Sequence, residues 1–175
     1  KTGHRNYVLM SLMLDTGLRL SEVINLKWKH INRNKNKLKV VEGKGNKDRT
    51  IWFNDDLNNE LAEWEKRQTE EVGEQEYVFT TMSKQNPEKK KERVDKFKKE
   101  VNNLSVELKG LKEELEENKS DKLKNKIEKL EVKLKRKEQR LKAAKYGLLS
   151  PRYIQQMINR YSDRAELKKD ISPHT

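Results

Sequence analysis

Arg19 and Glu22 stand three residues apart in the run Thr16-Gly17-Leu18-Arg19-Leu20-Ser21-Glu22-Val23-Ile24-Asn25-Leu26. A guanidinium held at a rigid corner can grip a bidentate oxygen anion such as phosphate through its planar fork. Three features of the run place Arg19 at such a corner. Gly17 suits a helix C-terminus that needs a left-handed residue, and Leu18 can fold back on the helix just ended. Ser21 is a candidate N-cap for the next helix, with Glu22 in its first turn, where a carboxylate complements the helix dipole. The other use of Arg19 is a surface ion pair with Glu22.

The elements around this corner follow from periodicity. Residues from about Asn6 to Asp15 have the rhythm of a helix, with Tyr7, Leu9, Met10, Met13 and Leu14 on one side. A second helix is expected from Ser21 to about Lys29. Lys37 to Glu42 and Arg49 to Phe53 predict two short strands, joined by the glycine-bearing turn Gly43-Lys44-Gly45-Asn46-Lys47. Asn54-Asp55-Asp56 can cap a helix to about Gln68 that buries Leu57, Leu61 and Trp64. Tyr77-Val78-Phe79 is a candidate third strand. Near the C-terminus, Ser150-Pro151 gives an N-cap and an N1 proline for a helix carrying Tyr153, Ile154, Met157, Ile158 and Tyr161. Ile171-Ser172-Pro173-His174 resembles one more helix entry.

Between these parts the pattern changes. Val94, Phe97, Val101, Leu104, Leu108, Leu111 and Leu115 alternate spacings of three and four, and Leu123, Ile127, Leu130, Leu134 and Leu141 form a second seam that fails only at Lys137. Two heptad segments around the polar break Glu117-Asn118-Lys119-Ser120-Asp121 predict an antiparallel helical hairpin that should project as an arm. The expected class is mainly α with a small antiparallel β-hairpin or sheet (α+β). One unit comprises residues 1–87 and 146–175, and an antiparallel coiled-coil hairpin is inserted at 88–145.

Composition narrows the function. The chain has 175 residues, 40% of them charged and 32% hydrophobic, enough for one modest core. It has no cysteine, and its three histidines (His4, His30 and His174) are scattered, so no metal site is expected. No apolar run approaches the ~20 residues of a membrane span, and no signal peptide opens the chain, so a soluble intracellular protein is expected. The net charge of +12 favours a polyanionic partner. From Glu88 to Lys145, however, there are 21 basic and 13 acidic residues, a net +8, against 20 and 16 in the remainder. Most of the excess lies on the arm, which reads as a solvated strut or a protein-docking device rather than a grip on DNA.

Thr-Gly-Leu-Arg-x-Ser-Glu-x-x-x-Leu resembles the first arginine box of the tyrosine recombinases, the phage-integrase family. Glu42-Gly43-Lys44-Gly45-Asn46-Lys47-Asp48-Arg49 resembles the family's lysine-bearing β-hairpin. Ser172-Pro173-His174-Thr175 resembles the start of its second box, His-x-x-Arg. The three occur in family order and cover about Asn6 to Phe79 and Leu149 to Thr175. The arm departs from the family, which bridges that region with a short connection, and the usual N-terminal core-binding domain is not among these residues.

The resemblance implies site-specific breakage and rejoining of double-stranded DNA through a 3′-phosphotyrosyl intermediate, with no metal, ATP or other cofactor. It assigns Arg19 and His174 to the scissile phosphate and Lys44 to protonation of the 5′-hydroxyl leaving group, with Lys47 as runner-up for that proton. Glu22 would orient its neighbours as a supporting residue, and Lys47 and Arg49 would contact the DNA backbone. The family's tyrosine follows the second box, whereas Tyr7, Tyr77, Tyr146, Tyr153 and Tyr161 all precede His174. An incomplete catalytic domain lacking its nucleophile and second arginine, and inactive alone, is therefore expected. When full length it would work as a homo-oligomer, a tetramer on DNA, in a bacterial cytoplasm at the nucleoid. The alternatives are a non-catalytic DNA-binding regulator of the same fold, or a coiled-coil scaffold with accidental motifs.

Overall fold

The computed structural model describes residues 2–41, 48–82, 86–117 and 120–167, in two compact units. The first unit comprises residues 1–84 and 148–175, and the second residues 85–147. In the first unit α1 spans Thr2–Thr16 and α2 Leu20–Ile24. The strands β1 (Ile31–Asn32), β2 (Lys37–Val40) and β3 (Arg49–Trp52) follow, then α3 (Asp55–Val72) and, after the second unit, α6 (Pro151–Arg164).

α1 buries Val8, Leu9 and Leu12, together with the polar Arg5 and Asn6. The expected stripe is thus rotated: Tyr7 and Leu14 are exposed, and Met10 and Met13 are only half-buried. The helix is apolar on nearly every side, and packing against α3 selects the face. α3 contributes Leu57, Leu61 and Trp64 as expected, and adds a buried Gln68. Asn54 caps it by accepting from the Leu57 N–H at 2.8 Å. Gln68 donates from Nε2 to the Tyr77 and Val78 carbonyls and to Thr80 Oγ1, and accepts from Trp28 Nε1 at 2.9 Å. Trp64 stacks on Phe79 and donates to the Val78 carbonyl at 2.7 Å. These bonds hold residues 77–80 as a fully buried segment.

That segment is not the third strand. It makes only isolated bridges, Lys27 to Tyr77 and Thr80 to Leu148. The third strand is Ile31–Asn32, turned onto β2 by Asn36 in the left-handed region at φ 44°. The antiparallel sheet runs β1-β2-β3, with Leu38 opposite Ile31 and Ile51, and Val40 opposite Arg49. The expected second helix also stops early, at Ile24. The Asn25 side chain takes the Ser21 carbonyl at 2.7 Å, and the backbone beyond turns extended to pair with Tyr77. At the C-terminal side Ser150 caps α6 as expected, accepting from the Tyr153 N–H at 3.1 Å, and Ile154 and Met157 enter the core.

The second unit is a helical hairpin of α4 (Pro87–Glu117) and α5 (Asp121–Tyr146). Leu104 and Leu111 pack with Ile127 and Leu130, flanked by Leu108, Leu115, Leu123 and Leu134. Lys112 pairs with Glu131 at 2.8 Å, and Lys137 with Glu100. Partners rise along α4 as they fall along α5, so the helices run antiparallel. Lys137, where the seam fails, is accommodated by Glu100, whose carboxyl it holds below its ordinary range by hydrogen bonding.

Candidate functional site

The end of α1 makes the corner. Gly17 adopts φ 61° and its N–H bonds the Met13 carbonyl at 3.0 Å, while Leu18 is buried. Arg19, not Ser21, occupies the N-cap of α2, with extended backbone. Its backbone N–H donates to Glu22 Oε2 at 2.8 Å, so Glu22 reaches back over the first turn. A Ser21 cap would require a helix starting at Glu22, and the chain starts helical geometry two residues sooner.

Glu22 is the hub. Arg19 Nη1 donates to Oε1 at 3.3 Å. Arg49 donates from Nη1 to Oε1 and from Nη2 to Oε2, both at 2.7 Å, a bidentate fork. The sheet explains the reach. Arg49 pairs with the buried Val40 and shares a face with Ile51, two residues on, so its side chain leaves β3 toward the core. Glu22's side chain is only 8% exposed, whereas those of Arg19 and Arg49 are each 35% exposed. The carboxylate is therefore the buried post and the guanidiniums are the accessible arms.

The electrostatics agree. The Arg49 hydrogen bonds hold the Glu22 carboxyl below the usual carboxylate range; burial opposes them, and the Arg19 N–H adds to the lowering. Arg49 is raised by the hydrogen bond to Glu22. Two cations share one anion, leaving a surplus positive charge at a half-open corner. Such a corner can hold an oxyanion without needing a conformational change to assemble its donors. Both uses of Arg19 weighed from the sequence are open together: it touches Glu22 through one nitrogen and keeps the rest of its fork accessible.

Lys44, Lys47 and His174 lie outside the described residues. The sequence placed Arg49 beside Lys47 on the lysine hairpin, and the fold brings it to Glu22, 27 positions earlier. No spacing rule signals that pair. Sequence reasoning also missed Arg5. It is 2% exposed and donates to the Thr80 carbonyl at 3.1 Å, to Asn6 Oδ1 at 2.8 Å and to the Tyr153 hydroxyl. Burial lowers its pKa, and Tyr153 counteracts that. Arg5 ties α1 to the 77–80 segment and α6, and its donors face inward.

A metal was not expected from the histidine spacing. The fold nevertheless gathers one oxygen or nitrogen each from His4, Glu60 and Glu63 within 4.8 Å of one another. His4 Nε2 already bonds Glu60 Oε2 at 3.1 Å, and Glu63 pairs with Arg67. The His4–Glu60 bond joins α1 to α3, and the Glu63–Arg67 pair lies within α3.

Comparison with known proteins places this corner in context. The model described as "Phage integrase family" matches residues 1–119. Tyrosine recombinase XerA of Pyrococcus furiosus is 39% identical over 85 residues, covering 49% of this chain and 29% of the relative. Tyrosine recombinase XerC of Staphylococcus epidermidis is 36% identical over 83 residues, covering 47% and 28%. The matched stretch thus spans less than a third of these relatives. A crystal structure of XerA recombinase aligns with 98% of this chain and 40% of its own, at TM-score 0.55 and 14% identity, a likeness of fold.

Proposed function

The chain belongs to the phage integrase family, and on that premise we propose that it is part of a tyrosine recombinase that breaks and rejoins double-stranded DNA at specific sites. The observation that carries this reading is the clamp of Glu22 on Arg19 and Arg49. A phosphodiester in transfer spreads negative charge over its non-bridging oxygens, and catalysis is chiefly the placing of donors around them. Arg19 supplies such a donor from a fixed corner. Glu22 fixes that donor and draws in β3, whose first residue is Arg49; Lys44 and Lys47 precede it in the sequence.

On this reading a tyrosine hydroxyl, losing its proton to solvent, attacks the scissile phosphorus, and the bond from phosphorus to the 5′-oxygen breaks. The 3′-phosphotyrosyl bond forms, and Lys44 gives its proton to the departing 5′-oxygen. Lys47 is the alternative donor, and His174 hydrogen-bonds the phosphate. Two of the chain's five tyrosines have other work: Tyr77 is buried beneath Lys27, and Tyr153 bonds Arg5. The working assembly is a tetramer of longer chains on DNA, in the cytoplasm. The test is the affinity of the chain for duplex DNA as salt is raised, with Arg19→Ala in parallel. Loss of one phosphate contact should reduce the log-log salt slope by about 0.9. An unchanged slope and affinity would remove Arg19 from the phosphate.

A further inference from the structure

We propose that the root of the α4–α5 hairpin is a second binding surface for the DNA backbone. This rests on the reading above that duplex DNA is the partner. The antiparallel pairing shows what chain order hides. Residues 88–103 of α4 and 133–145 of α5 lie at the same end of the hairpin, because Glu100 meets Lys137 while Lys112 meets Glu131 nearer the tip. Those two stretches together hold 14 basic residues and 5 acidic ones, a net +9. The remaining 104–132 holds 7 basic and 8 acidic residues, a net −1. The whole positive excess of the arm is therefore packed into its root, and the tip is balanced.

A solvated Lys/Glu hairpin needs no such segregation. Interhelical pairing and solubility are both served by the balanced tip, where Lys112–Glu131 and Lys109–Glu113 form. At the root one acidic residue, Glu138, accompanies seven basic residues on α5. Lys133, Lys135, Arg136 and Arg140 are all exposed. Sixteen helical residues extend about 24 Å. Phosphates recur about every 3.4 Å on one strand, so a stretch of that length can follow roughly seven of them. The charge carries no base-reading pattern and suits sequence-independent backbone contact.

The experiment uses the whole chain and two variants of equal charge change. The root variant carries Lys133→Gln, Lys135→Gln, Arg136→Gln and Arg140→Gln. The tip variant carries Lys109→Gln, Lys122→Gln, Lys126→Gln and Lys129→Gln. Glutamine keeps helix propensity, and circular dichroism confirms that each hairpin folds. Affinity for a fluorescent duplex is measured from low to moderate salt. The root variant should lose about 3 from the log-log salt slope and at least about tenfold in affinity, and the tip variant less than about 1 in slope. Equal losses in the two variants would mean only net charge matters and overturn the proposal. So would an unchanged root variant. A root variant that alters the sedimentation of the chain without altering DNA affinity would assign the surface to protein contact, and overturn it too. Arg19→Ala in the same series separates the two ideas: if it weakens binding while the root variant does not, the arm fails and the phosphate corner stands.

Discussion

A carboxylate that takes four hydrogen bonds from two arginines organises the corner more than either arginine does. Glu22 accepts the Arg19 N–H, one Arg19 guanidinium nitrogen and both ends of the Arg49 fork. Its folded pKa is depressed, so its stabilising effect is present above the ordinary carboxylate value of about 4.3 and is lost as pH falls through the depressed folded value. Glu22→Gln should therefore cost about 2 kcal/mol of unfolding free energy at pH 7. The gap to the parent chain should close as pH drops below about 4. Denaturant titration of both proteins at several pH values measures this, and a gap constant with pH would show that the charge of Glu22 is not what binds. The residues Arg19 and Glu22 were legible because their motif is local. Arg49 was visible as a cation beside the lysine loop, but its partner was not, since strand pairing across residues 37–52 decides which face it leaves. Arg5 and Gln68 were invisible for a related reason. Polar side chains look like surface until the fold shows the carbonyls they must satisfy.

Helices were legible where one signal dominated and misplaced where two competed. The heptad seams gave the hairpin almost to its ends, because apolar spacing in a charged background has one solution. Asn54 and Ser150 were found as caps, since a short polar side chain before an apolar run has a clear local use. α1 was rotated because apolar residues cover most of its circumference and tertiary packing, with α3 foremost, selects the face. α2 ended at Ile24, since the Asn25 side chain and the bridge to Tyr77 outweigh five further residues of helical pattern. The two-residue β1 strand has too little sequence to show a period. The hairpin invites an element-scale test. Leu111 is 8% exposed in the seam core, and Leu111→Ala should cost about 2 kcal/mol. Amide exchange should quicken along α4 and α5 and stay unchanged in α3, because the two units have separate cores. Loss of protection in α3 as well would show one cooperative body.

At the scale of the molecule, two units divide the positive charge differently. In the first, folding places two cations at one point, with Arg19 and Arg49 held on Glu22. The second carries many cations placed by composition at one end of a hairpin. The first arrangement suits the grip of one phosphate in a defined geometry, and the second suits a backbone followed over several phosphates. No helix among the described residues is long and apolar enough to cross a membrane. Net charge alone, read from the sequence, could not distinguish these uses, because the antiparallel turn sets which cations are neighbours. The most direct measurement is a side-chain spectrum of the chain labelled with nitrogen-15 in arginine, recorded while a short duplex is added, with Arg19→Ala and Arg49→Lys assigning the signals. The expected result is that the Arg19 Nε resonance shifts saturably with bound DNA and that Arg49 moves with it through their shared carboxylate. Saturable binding of the duplex with both resonances unmoved would contradict a phosphate at the Arg19 corner.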